Sequence, residues 1–139
     1  MAALTLQQIL TPGNVLDLFC DFTTPQKNKL LILASTDPRL VFFIINSELT
    51  EFRSRTEEIK DAQVEIKKVE HAFLTKDSWA DCSKAIHLFD VQEVARQINS
   101  KTGAFKGVLH DNAKAAIRAV VKDSRLLENR DKTAILQSL

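Results

Sequence analysis

The spacing of the apolar residues changes near residue 90. Before this point they alternate with polar residues or form short unbroken runs, which is typical of β-strands. After it they recur every three or four residues, which is typical of amphipathic helices. This order, with strands first and helices last, predicts an α+β protein with a mainly antiparallel sheet.

Five segments of the first part are predicted to be strands. Leu16, Leu18 and Cys20 alternate with other residues after a turn at residues 11–13. Residues 40–45 are apolar throughout, which predicts a strand buried on both faces. Residues 47–62 fit a short helix or an irregular loop equally well. The five predicted strands cover residues 15–22, 29–34, 40–45, 63–69 and 78–88.

Three helices are predicted in the rest of the chain. The first has an apolar face formed by Val91, Val94, Ala95 and Ile98. The second opens at residues 107–111, and the third covers residues 128–139. A chain of 139 residues can bury one core, so we expect a single domain, 1–139, with a strand portion at 1–89 and a helical portion at 90–139.

The charge of the chain is nearly balanced, at +1. This excludes a protein that attracts nucleic acid over its whole surface, because such proteins carry a clear excess of basic residues. The last 39 residues nevertheless hold eight bases and four acids. Their basic residues fall on one predicted helix face, which is either a solvated surface or a local site for a polyanion. These residues are Lys114, Arg118, Lys122 and Arg125.

Several common kinds of site are not indicated by the sequence. Three scattered glycines cannot build a phosphate-binding loop, and the three histidines and two cysteines show no metal-ligand spacing. We therefore expect no cofactor and no metal. The N-terminus lacks the pattern of a signal peptide, and the longest apolar run is too short to cross a bilayer. A soluble cytoplasmic protein that does not contact membranes is predicted.

The polar residues that follow or precede the predicted strands are the best candidates for a site. Small β-barrels usually hold their sites at strand ends, although bases beside a buried strand also serve simply to keep it soluble. The candidates are Lys27, Lys29, Asn46, Ser47, Arg53, Arg55, Asp81, Ser83 and Lys84.

The order of these segments resembles the PemK and MazF family of toxin endoribonucleases. The resemblance lies in an opening turn and strand, a second strand after a basic residue, a strand that ends in small polar residues, a long late strand and a Gly-containing entry to the C-terminal helices. These segments are residues 11–19, 29–35, 43–47, 79–88 and 106–111. The resemblance implies an SH3-like β-barrel followed by C-terminal helices, a homodimer, and inhibition by an acidic antitoxin protein.

The family cleaves single-stranded RNA without metal, so the resemblance also implies roles for the candidates. A base removes the proton of the 2′-hydroxyl, this oxygen attacks the phosphorus, and an acid protonates the leaving 5′-oxygen. Lys29 or Arg53 would stabilise the phosphorane, Asp81 or His71 would exchange protons, and Ser47 would hold a phosphate oxygen. The expected RNA-binding residues are Lys27, Asn46, Arg55, Ser83 and Lys84.

Two alternatives to an enzyme remain open. The chain could be a non-catalytic barrel that binds a protein or nucleic acid, for which the basic helix face is the candidate surface. It could also be a structural subunit of a larger assembly. Phe19 and Trp79 are candidates for exposed aromatic side chains that stack on bases or form a dimer seam.

Overall fold

The computed structural model describes residues 4–48 and 56–139. Six strands form one antiparallel sheet in the order β4-β5-β3-β2-β1-β6, curled into a half-barrel. The strands are β1 (Asn14–Cys20), β2 (Lys27–Ser35), β3 (Val41–Asn46), β4 (Gln63–Ile66), β5 (Ser78–Ile86) and β6 (Ala104–Val108). The helices are α1 (Leu6–Ile9), α2 (Glu57–Asp61), α3 (Val91–Asn99), α4 (Asp111–Asp123) and α5 (Asn129–Ser138). The predicted α+β class and antiparallel sheet are confirmed.

The two central strands, β2 and β3, are apolar on both faces because the sheet is covered on both sides. Ile32 and Phe43 point into one core cluster, which includes residues of α4 and α5. Leu31 and Phe42 point into a second cluster, which includes residues of α1 and α3. The prediction that residues 40–45 are buried on both faces is therefore confirmed.

Helix α4 closes the first core with one apolar face. Ala113, Ile117 and Val121, spaced at i, i+4 and i+8, are all buried. Full burial of a side chain such as Ile117 contributes about 1.5–3 kcal/mol. Helices α4 and α5 cover the face of the sheet that carries Ile32 and Phe43. The polar side chains at the ends of β2, β3 and β5 are therefore accessible to solvent on the opposite face.

The structure corrects two predicted element boundaries by three or more residues, and β1 and β5 end at Cys20 and Ile86, each two residues before the predicted end. Residues 107–111 do not open a helix: residues 104–108 form β6, which pairs with the outer edge of β1 and satisfies its backbone groups. The last third, expected to be helical, thus also supplies a strand. Helix α4 instead begins at Asp111, where the ring of His110 accepts a hydrogen bond from the Asn112 N–H at 3.0 Å.

The second correction concerns the segment around β4. The strand predicted over residues 63–69 ends at Ile66 and continues as a 3-10 turn, Lys68–Glu70. Of residues 47–62, for which helix and loop were both open, Glu57–Asp61 form a helix with the Thr56 side chain at its N-cap, and residues 49–55 lie outside the described residues. Within the described parts of the chain, no helix is long and apolar enough to span a membrane.

Candidate functional site: a lysine cleft on the open face of the sheet

The polar ends of β2, β3 and β5 meet in one cleft of about 420 Å³. It lies on the face of the sheet that carries Leu18 and Leu31, opposite to α4 and α5. Five of the nine residues predicted from strand ends line this cleft, which we call the lysine cleft. They are Lys27, Lys29, Asn46, Asp81 and Lys84.

Lys29 and Asn46 meet because of the strand register. Leu30 of β2 pairs with Ile45 of β3, which places Lys29 beside Asn46 on the adjacent strand. The Lys29 Nζ donates a hydrogen bond to Asn46 Oδ1 at 2.9 Å. Lys29 is half-buried, whereas Lys27, two residues away on the same face, is exposed. The register therefore holds one ammonium group within the sheet surface and leaves the other at its rim.

Asp81 is positioned by a bulge in β5. Between the pairs Ile44–Asp81 and Phe42–Ile86, β3 advances by two residues and β5 by five. A bulge of this kind removes residues from the hydrogen-bond ladder and redirects side chains. The released Ser83 N–H donates to Asp81 Oδ1 at 3.0 Å. The bulge thus holds the carboxylate in one orientation in the cleft.

Two side chains add to this arrangement. The Ser83 hydroxyl and the Gln63 amide nitrogen both donate to Asp81 Oδ1, the latter at 2.9 Å. Ser83 was predicted to contact RNA, but it does not line the cleft and instead orients Asp81. Gln63 was not predicted, because its pairing with Asp81 depends on the register between β4 and β5.

The cleft combines positive charge with an apolar floor. Three lysines and one aspartate give it a net charge of +2, and Ile44 and Ile86 lie between them. Phe22 and Leu88 line the end near the β1–β2 connection, together with Thr23 and Thr24. Such a surface fits a ligand that carries both anionic and apolar groups. None of the described residues that line the cleft is a histidine.

The residues at the end of the cleft near the β1–β2 connection were only partly indicated by the sequence. Thr23 and Thr24 precede the predicted lysines closely in the chain, and this proximity could have indicated them. The ring of Phe22 contacts Phe89 edge to face at 6.0 Å. Leu88, by contrast, is 63% exposed. Because Leu88 continues the apolar pattern of the predicted strand, periodicity alone could not have shown that it is exposed at the cleft.

The remaining predicted residues do not join the cleft in the described structure. Ser47 is exposed, one residue beyond the end of β3, and does not line the cleft. Arg53 and Arg55 lie outside the described residues. Of the predicted catalytic residues that the structure describes, Lys29 and Asp81 line the cleft together and Ser47 does not.

His71 is not a partner of Asp81 in proton exchange. The ring is 2% exposed, and both nitrogens bind backbone groups. Nδ1 donates to the Lys67 carbonyl at 2.8 Å, and Nε2 accepts from the His110 N–H at 3.0 Å. A carbonyl can only accept and an N–H can only donate, so these two bonds determine the tautomer. His71 is a structural residue that connects the 3-10 turn to the start of α4.

The predicted basic helix face is also interrupted. Arg118 is half-buried and donates to the Leu136 carbonyl at 2.8 Å, which ties α4 to α5. Lys114 is half-buried beside Gly13. Arg125 lies beyond the end of the helix, and Lys122 is exposed on it. These side chains do not form one continuous exposed basic surface.

The described residues contain no group of three or more histidine, cysteine or carboxylate side chains arranged to hold a metal ion. No protein-family model matches the chain, and a search among curated proteins gives no significant match.

Proposed function

We propose that the chain is a metal-independent endoribonuclease that cleaves single-stranded RNA in the lysine cleft, on an SH3-like barrel in the cytoplasm. The observation that carries this proposal is the meeting of Lys29 of β2 with Asp81 and Lys84 of β5 in one cleft, although β3 separates these two strands. A cationic groove with apolar walls suits a chain of phosphates and bases.

The proposed reaction uses the groups that the cleft contains. Lys29 and Lys84 bind the scissile phosphate and stabilise the charge that develops on the phosphorane. Asp81 accepts the proton of the 2′-hydroxyl, whose oxygen forms a new bond to phosphorus. The bond from phosphorus to the 5′-oxygen breaks, and a lysine ammonium group of the cleft protonates this oxygen. The products are a 2′,3′-cyclic phosphate and a free 5′-hydroxyl.

The proposal is tested by incubating the purified protein with single-stranded RNA in the presence of a metal chelator. We expect cleavage that leaves 2′,3′-cyclic phosphate ends, and a loss of at least a hundredfold in rate for Lys29→Ala. Lys122→Ala is the matched control, because it removes the same charge from α4, on the opposite face of the sheet. RNA that stays intact across many sequences contradicts the proposal.

The proposal includes two partners that the family resemblance implies. A second copy of the chain would form a homodimer, and an acidic antitoxin would occupy the cleft, whose charge of +2 attracts carboxylates. Light scattering of the purified protein tests the dimer. Co-purification with the product of an adjacent gene that encodes a small acidic protein tests the antitoxin.

A second candidate function, non-catalytic binding, is favoured by the hydrogen bonds of Asp81. Its Oδ1 accepts three of them, which is also what a carboxylate with the purely structural task of holding the bulge would do. Growth arrest on overexpression separates the candidates. Arrest that disappears in both Lys29→Ala and Asp81→Asn supports catalysis, whereas arrest that persists in both supports binding.

A further inference from the structure

Trp79 lies beside the lysine cleft rather than in the core. On β5 it pairs with Asn46 of β3 on one side and with Glu65 of β4 on the other. Directly paired residues of antiparallel strands place their side chains on the same face of the sheet. The indole therefore lies on the face that carries the cleft, next to the amide that accepts a hydrogen bond from Lys29.

The position of Trp79 is unusual for so large an apolar side chain. Tryptophan normally contributes a large buried area to a core. Of the described residues, Trp79 belongs to neither core cluster, it is only half-buried, and its two cross-strand neighbours are polar. An aromatic side chain beside a cationic cleft has the arrangement of a stacking platform for a nucleobase.

The charges beyond the Leu88 end of the cleft favour the same direction. Beyond Leu88 lies a second depression lined by Asp21, Asp90 and Glu93, with Arg96 as its single base. Arg96 is bound by Glu93, whose carboxyl has its pKa lowered to about 2 by this hydrogen bond. Two further carboxylates repel a phosphate backbone there. A strand that leaves the lysines is thus directed away from Leu88, across Asn46 and towards Trp79.

We propose that Trp79 stacks on the nucleobase adjacent to the phosphate held by Lys29. This inference rests on the proposed binding of RNA in the cleft, but it does not require cleavage. It assigns base contacts to the end of the cleft formed by β3, β4 and β5. Stacking on one aromatic side chain corresponds to a change in affinity of about 5- to 150-fold, so we expect loss of the indole to weaken binding by about tenfold or more.

The test uses the intrinsic fluorescence of Trp79, which is the single tryptophan of the chain. Asp81→Asn, expected not to cleave, is titrated with a uridine oligonucleotide and with an oligonucleotide of the same length that carries abasic sites. Binding of each is followed separately by the anisotropy of an end label. We expect the bases to quench the indole emission, and the abasic strand to bind more weakly without quenching it.

Trp79→Leu provides the second arm, with Val91→Ala as the matched control at an exposed apolar position of α3. We expect Trp79→Leu to bind the uridine strand about tenfold more weakly and the abasic strand as before. Binding without quenching, or equal losses for both strands, overturns the stacking proposal and leaves the RNA site intact. Absence of binding to either strand overturns both. If Trp79→Leu does not fold, the fluorescence arm alone decides.

Discussion

The amide of Gln97 completes the backbone hydrogen bonding of β1, and its replacement should be costly. Strand β6 pairs with β1 only as far as Asp17, so Phe19 lacks a strand partner on that side. Gln97 of α3, which is 1% exposed, takes this place. Its Oε1 accepts from the Phe19 N–H at 2.7 Å, and its Nε2 donates to the Phe19 carbonyl at 3.2 Å.

In Gln97→Leu, both hydrogen bonds to Phe19 are lost, together with the one that Nε2 donates to Glu93 Oε1 at 3.1 Å, while the side-chain volume is nearly kept. Each bond contributes about 0.5–1.5 kcal/mol, and a buried backbone group left without a partner costs about 1–3 kcal/mol. Some solvent can reach the half-buried Phe19, so we expect a total loss of about 2–4 kcal/mol. For a domain whose stability is about 5–15 kcal/mol, this is a large fraction.

Urea denaturation measures this loss. With a slope of about 2 kcal/mol per molar, the midpoint should fall by about 1–2 M. Gln92→Leu, at an exposed position of the same helix, is the matched control and should stay within about 0.5 kcal/mol of the wild type. If Gln97→Leu loses no more stability than this control, the side chain does not complete the ladder of β1.

Three further predictions concern stability. Desolvation by burial raises the pKa of the Cys20 thiol from 9.0 to about 11, so native protein at pH 8 should react with iodoacetamide at least a hundredfold more slowly than unfolded protein. Because this pKa is raised by folding, the thiol's contribution to stability is complete below pH 9 and is lost as the pH rises through 11, which unfolding curves at increasing pH measure. In Gly103→Ala, the new Cβ would lie 2.8 Å from the Asp17 carbonyl oxygen, so we expect thermal unfolding to show a loss of about 1–3 kcal/mol, and an unchanged midpoint would refute the contact. Asp131 is 4% exposed and binds an arginine and a histidine. Asp131→Asn should therefore cost about 1–3 kcal/mol in urea denaturation, because Arg39 is partly exposed and the amide keeps one acceptor, and a loss no greater than that of exposed Asp123→Asn would contradict this.

The central strands were predictable because short unbroken apolar runs and strict alternation are typical of buried strands and of few other structures. The short edge strand β6 was not, because Ala104–Val108 contains a lysine and a glycine and buries no side chain fully. Its role depends on the edge of β1, which is distant in sequence. A strand that pairs with another strand only through backbone groups needs no particular side chains, so its own residues carry little sequence signal.

The candidate site, like the sheet, was predictable only in part. Residues at strand ends gather at one edge of a sheet, so Lys29, Asn46 and Asp81 could be named in advance. The roles of Ser83 and Gln63 could not, because they depend on a bulge and on a register that no local pattern encodes. His71 was misjudged because a sequence does not reveal which histidines have both nitrogens bound to backbone groups.

The most direct test of the lysine cleft as a ribonuclease site compares the wild type with Asp81→Asn on one RNA substrate in chelator. The amide keeps the shape of the side chain and an oxygen that can accept from Ser83, but it cannot take the 2′-hydroxyl proton. We predict cleavage to 2′,3′-cyclic phosphate ends by the wild type and a rate at least a hundredfold lower for Asp81→Asn, with RNA affinity within about threefold. Equal rates for the two proteins, or intact RNA with both, would contradict the account.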